Sequence, residues 1–147
     1  MPVSVEVDPA FSGIISITAA DSILKHVIER EGFSVDEISI VLGNDDLLSK
    51  LKKDFFNKDQ FTDVIAFRLN EYKEKNVEGE IYISIPRARE NAKKFGEPVE
   101  REVGRLIIHG GLHLVNYDDE TEAEKNIMTL KEEEYLNQVN WQDLINE

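Results

Sequence analysis

Cysteine is absent from the chain, which excludes disulfides and thiolate metal ligands outright. Long apolar runs are missing as well: no segment approaches the ~20 residues that a membrane-spanning helix needs, so no membrane partner is expected. The start, Met1-Pro-Val-Ser-Val-Glu-Val7, shows no basic stretch leading into an apolar one, so no secretory signal is expected and a cytoplasmic setting is the default. Basic residues are in short supply. With 17 Lys and Arg against 30 Asp and Glu, the net charge is −13. That balance argues against a broad nucleic-acid-binding surface, though a local basic patch remains compatible with it. There are no internal repeats, no low-complexity segments and no linker. At 147 residues the chain is expected to be one domain, 1–147, large enough to bury a substantial core.

The pattern that is present is mixed. Val3–Val7 alternates and reads as a strand. A helix is expected over Asp21 to Glu31, ended by Gly32, with His26 on it as an exposed surface residue rather than a ligand. Glu37–Leu42 reads as a strand, and the Asn/Asp cluster after Gly43 caps a helix over Leu47 to Phe55. Thr62–Phe67 and Glu80–Ile85 read as two further strands, separated by a polar loop from Asn70 to Gly79. Pro86 opens a helix that stops at Gly96, and Pro98 opens another carrying Val99, Val103, Leu106, Ile107 and Leu114. Thr121 and Glu124 form a capping box for a last helix through Ile127, Leu130 and Leu136, on which Glu132-Glu-Glu134 reads as solvated surface. Strands interleaved with helices, followed by a helical C-terminal half, give an α/β or α+β domain.

The chemistry concentrates in His109-Gly-Gly-Leu-His113, followed six residues later by Asp119. Residues four apart on a helix project from one face, so two imidazoles can converge on one point. These are two of only three histidines in the chain. Asn116-Tyr117-Asp118-Asp119 breaks the helix and can bring a carboxylate back toward the rings. Two imidazoles and a carboxylate match a three-ligand zinc centre whose fourth position is open. Gly110 and Gly111 each cost about 1 kcal/mol in a helix interior relative to alanine. Two explanations stand for them: close approach of another segment or a substrate to the metal, or tight packing of the helix on a sheet. The metallopeptidase pattern His-Glu-x-x-His is absent, because Gly110 stands where its general base would be.

With these residues placed, the sequence resembles the YbeY-type rRNA maturation endoribonucleases. Their signature His-Gly-x-Leu-His-Leu-x-Gly-Tyr-Asp-His stands here as His109-Gly-Gly-Leu-His-Leu-Val-Asn-Tyr-Asp-Asp119. Thr62-Asp-Val-Ile-Ala-Phe67 and Gly79-Glu-Ile-Tyr-Ile-Ser84 are similar to two strands of the family, and Glu124 and Met128 fall where it has a Glu and a Met. The likeness runs from about Asp59 onward. It implies a small mixed four-stranded sheet packed against helices, with the metal site on a helix of the C-terminal half. It further implies a single-strand-specific, metal-dependent endoribonuclease in ribosomal RNA processing, with one zinc per chain, RNA as substrate and ribosomal proteins as further partners.

On that resemblance His109, His113 and Asp119 are the metal ligands, and His109 and His113 act in catalysis through the metal. Asp118 or Thr62 would orient ligands, and Asp63 is a candidate base. Arg87, Arg89, Lys93 and Arg105 are candidates for substrate binding, beside Arg68. Water and the RNA's own 2′-hydroxyl both remain open as nucleophile. Two other classes also stand: a non-catalytic ribosome-associated protein braced by zinc, and a metal-dependent hydrolase of another substrate. Three positions depart from the pattern. Asp119 replaces a histidine, which adds negative charge and leans the site toward harder ions. Asn116 replaces a glycine, and Asn tolerates the left-handed conformation that ends a helix. Phe56 stands where the family often has an arginine.

Overall fold

Alternation along the strands decides which side of the sheet the helices cover. The computed structural model describes residues 3–56 and 62–145, so Asp59, where the resemblance begins, lies outside the described residues. In chain order the elements are β1 (Val3–Val7), α1 (Ile17–Arg30), β2 (Ser34–Gly43), α2 (Asp45–Phe56), β3 (Val64–Arg68), β4 (Asn76–Ser84), α3 (Ile85–Phe95), α4 (Val99–Leu114) and α5 (Glu122–Leu136). The sheet runs β1-β2-β4-β3, with β1, β2 and β4 parallel and β3 antiparallel at one edge. It is therefore a four-stranded mixed sheet in an α+β domain.

Register builds one apolar face. Val3, Val5 and Val7 lie beside Ile38, Ile40 and Leu42, which lie beside Gly79, Ile81 and Ile83, with Val64 and Ala66 at the edge. These side chains join Ile23, Leu24, Val27 and Ile28 of α1 and Val103, Leu106, Ile107 and Leu112 of α4 in one hydrophobic core. The other face carries Ser4, Glu6, Ser39, Val41, Glu80 and Tyr82, and α2 covers its β3 end, where Phe55 and Phe56 meet Phe67. Among the described residues no helix is long and apolar enough to cross a membrane.

Four expectations need correction. Helix α1 begins at Ile17, not Asp21, because the Ser16 hydroxyl accepts from the Ala19 amide and caps it. Strand β4 begins at Asn76, inside the expected polar loop, since it is hydrogen-bonded between β2 and β3 and its polar residues still alternate. His26 is half-buried: its Nε2 lies 2.7 Å from Gln138 Oε1 and its ring meets Tyr135 edge-on. Helix α5 docks through Met128, Glu132, Tyr135 and Leu136, leaving Ile127 and Leu130 exposed. Glu132 is thus 5% exposed, the reverse of a solvated residue.

Candidate metal centre

Helix α4 crosses the centre of the molecule, and its two glycines allow it. A Cβ at Gly110 would lie 2.6 Å from Ile81 Cγ2 on β4, and one at Gly111 3.0 Å from Leu24 Cδ1 on α1. Of the two explanations for the glycines, helix packing is the one the contacts bear out. The same helix turns His109 and His113 toward a cavity of about 560 Å³. Arg68, at the end of β3, is a structural clamp: it donates to the Leu114 carbonyl at 2.7 Å and to the Glu71 and Glu74 carbonyls, which caps α4 and holds the β3–β4 loop.

Beyond Leu114 the chain reverses. Asn116 takes φ 77°, and the Tyr117 amide donates back to the Leu112 carbonyl at 3.0 Å. That turn brings Asp119 against the rings. His109 Nε2 lies 3.0 Å from His113 Nε2, and Asp119 Oδ2 lies 3.3 Å from the first and 3.6 Å from the second. Among the described residues these three form a group whose ligand atoms all fall within 4.8 Å of one another.

The tautomer of His109 is decided by a residue that sequence reasoning missed. Glu132 Oε2 lies 2.6 Å from His109 Nδ1. A carboxylate only accepts, so Nδ1 carries the proton and Nε2 presents its lone pair to the cavity. The other oxygen of Glu132 accepts from Arg105 Nη1 at 3.1 Å, and Arg105 makes a two-pronged contact with Glu102 at 2.8 and 2.7 Å. Asn91 then links Glu102 to Asp63, at 3.0 Å on each side. Burial works against the Arg105 charge, but Glu102 and then Glu132 outweigh it and hold its pKa well above the usual value. The helical spacing Met128, Glu132, Tyr135, Leu136 is the signal that marks Glu132 as inward-facing.

Burial, followed by the neighbouring His109, holds the His113 imidazole below its ordinary pKa, against opposing pulls from Asp119 and a hydrogen bond with the Tyr117 backbone. A lowered pKa favours the neutral form that ligates metals. Nitrogen and oxygen donors held at about 2.0–2.1 Å by one tetrahedral ion lie about 3.3 Å apart. The three separations here, 3.0, 3.3 and 3.6 Å, bracket that value. The residues present fit a divalent ion.

The remaining expected residues are distributed unevenly. Thr62, Asp63, Asp118 and Arg105 line the cavity with the ligand group. The Asp63 carboxylate accepts from Asn91 and sits 3.7 Å from Arg105 Nη2. Arg87, Arg89 and Lys93 lie on α3 outside that lining: Arg87 pairs with Asp45 and Glu90, Arg89 lies over the Phe11 ring, and Lys93 is exposed. The four candidate substrate-binding cations are therefore split, and the cations on the cavity wall are Arg105 and Lys52. Phe56 and Tyr72 also line it, and neither was expected there as a site residue.

Comparison with known proteins adds a direct relationship. The family model described as Endoribonuclease YbeY matches residues 13–140. The chain is 36% identical over 124 residues to the Endoribonuclease YbeY of Salinibacter ruber, covering 80% of this chain and 79% of that protein. It is 38% identical over 128 residues to that of Bacillus licheniformis, covering 80% and 81%. Among solved structures, it is similar to the solution structure of TM1509 from Thermotoga maritima, with TM-score 0.64 and 27% identity over 92% of this chain and 87% of that one.

Proposed function

The chain belongs to the YbeY endoribonuclease family, and on that premise we propose that it is a zinc-dependent enzyme that cuts single-stranded ribosomal RNA during its maturation. We take residues 1–147 as one functional unit working in the cytoplasm, with ribosomal proteins as further partners. His109, His113 and Asp119 hold one zinc ion per chain. The observation that carries this reading is the convergence of three acceptor atoms, 3.0 to 3.6 Å apart, in the wall of an open cavity. Three protein donors leave a coordination position for substrate or water, whereas a bracing zinc is closed by four.

When bound, zinc supplies Lewis acidity toward a phosphoryl oxygen and acidifies water. The chain's own residues supply the rest. Glu132 locks the His109 ring so that Nε2 faces the cavity. Arg105 is gripped by Glu102 and Glu132, so its charge is largely spent on the protein; its role is to hold those carboxylates in place. Lys52 is the cavity cation better placed to meet a phosphate, since no described carboxylate pairs with it. Asp63, on the same wall and tied to Asn91, is the candidate proton acceptor.

The experiment compares structured and single-stranded RNA incubated with native, chelator-treated and zinc-refilled protein. Cleavage of single strands that is lost on chelation and restored by zinc is the expected result. RNA binding with no cleavage in any state would instead favour a non-catalytic ribosome-associated role.

A further inference from the structure

We infer that Phe56, with Tyr72 and Lys52, forms a stacking wall that seats one unpaired RNA base beside the metal ligands; this rests on the reading of the chain as an endoribonuclease. The Phe56 ring is 42% exposed and Tyr72 48% exposed, and both line the cavity that contains His109, His113 and Asp119. Large rings left open within a polar-rimmed cavity mark a place of contact with a ligand. Phe56 is also held in position. Its ring lies nearly parallel to Phe67, at 18° and 5.8 Å between centroids, and Phe67 in turn meets Phe55 and Tyr82 edge-on. The platform is therefore stiff, which lowers the entropy lost when a flat ligand stacks on it.

Charge selects the kind of ligand. Lys52 stands one helical turn before Phe56 on α2, with its ammonium 4.8 Å from the ring centre. The other cation on the wall, Arg105, is engaged by Glu102 and Glu132, while Asp63, Asp118, Asp119 and Glu120 add four carboxylates to the lining. An aromatic ring paired with an ammonium suits a base and its adjoining phosphate, the combination that recurs in single-strand binding. A duplex buries its base faces in the stack, so only an unpaired nucleotide can use this wall.

The test uses the full chain without metal, so that RNA is bound but not cut, and a single-stranded oligonucleotide carrying 2-aminopurine as a fluorescent base. Phe56→Leu keeps apolar bulk but removes the ring, and Phe56→Trp keeps a stacking surface. Phe56→Leu should weaken binding by roughly five- to a hundredfold and abolish the stacking-induced quench, with Phe56→Trp restoring both. Lys52→Gln should reduce the salt slope of log Kd by about 0.7, the value for one phosphate contact on a single strand. Phe95→Leu, an exposed ring on α3 outside the cavity, serves as the control and should change nothing. Circular dichroism of each variant checks that the fold is kept. If wild type binds and cleaves RNA while Phe56→Leu binds with the same affinity and quench, the stacking wall is overturned and the proposed function stands. If wild type neither binds nor cleaves single-stranded RNA, both are overturned.

Discussion

At the scale of single residues, Glu132 and Asp119 act on the same imidazole from opposite sides. Glu132 binds His109 through Nδ1, away from the cavity, so its influence is on ring orientation and tautomer. Glu132→Ala should lower zinc affinity by about ten- to a hundredfold, and Glu132→Gln, which keeps an acceptor oxygen, should lose less. A competitive titration against a chelator of known affinity measures both. Asp119 faces Nε2 of both histidines and brings charge as well as an oxygen donor. Asp119→Asn should weaken zinc binding although its shape is nearly unchanged, whereas Asp119→His should retain the metal, because imidazole nitrogen binds zinc at a similar distance. Equal affinity in wild type and both variants would remove Asp119 from the ligand set.

At the scale of elements, the position of α4 depends on its close approach to β4. Gly110→Ala gains helix propensity of about 1 kcal/mol, but its methyl group would meet Ile81 Cγ2 at 2.6 Å, a branch in the middle of the sheet that cannot swing away. Overpacking of this kind costs about 1–3 kcal/mol, so urea melts should show net destabilisation. A second joint ties the end of α1 to α5. Glu31 accepts from Tyr117 Oη at 2.8 Å, from Tyr135 Oη and from Lys131 Nζ at 3.4 Å. Burial raises its pKa, but the bonds from Tyr135 and Tyr117 and the Lys131 charge outweigh that and hold it below the ordinary carboxylate value. With a lowered folded pKa, the stabilisation is present above the unfolded value of about 4.3 and fades as pH falls through the folded one. Glu31→Gln should therefore cost about 1–3 kcal/mol at neutral pH. Its stability should also depend less on pH below about 4.3 than that of wild type.

At the scale of the whole molecule, the metal spans very little of the chain. Its three proposed ligands come from one helix and the turn after it, while the core joins β1, the other strands, α1, α4 and α5 through apolar contacts. Chelation should leave the far-ultraviolet circular dichroism nearly unchanged and lower Tm by only several degrees. Free zinc at a hundredfold above Kd stabilises by about 2.7 kcal/mol. Collapse of the fold on chelation would mean that the ion braces the structure instead.

Local chemistry was enough to reveal much of this protein. Helical spacing placed His109 and His113 on one face, Pro86 and Gly96 bounded α3, Thr121 and Glu124 formed their capping box, and Asn116 took the left-handed turn. Each depends on residues within a turn or two of one another, where sequence distance is nearly spatial distance. The tertiary structure decided what lies between distant segments. Glu132 sits 23 residues from His109, and only the docking face of α5 turns it inward. Phe56 and Tyr72 reach the cavity because α2 and the β3–β4 loop end beside the open edge of β3. Which rings and carboxylates meet depends on how whole faces bury their apolar area, a balance summed over the molecule that no single stretch of the chain contains.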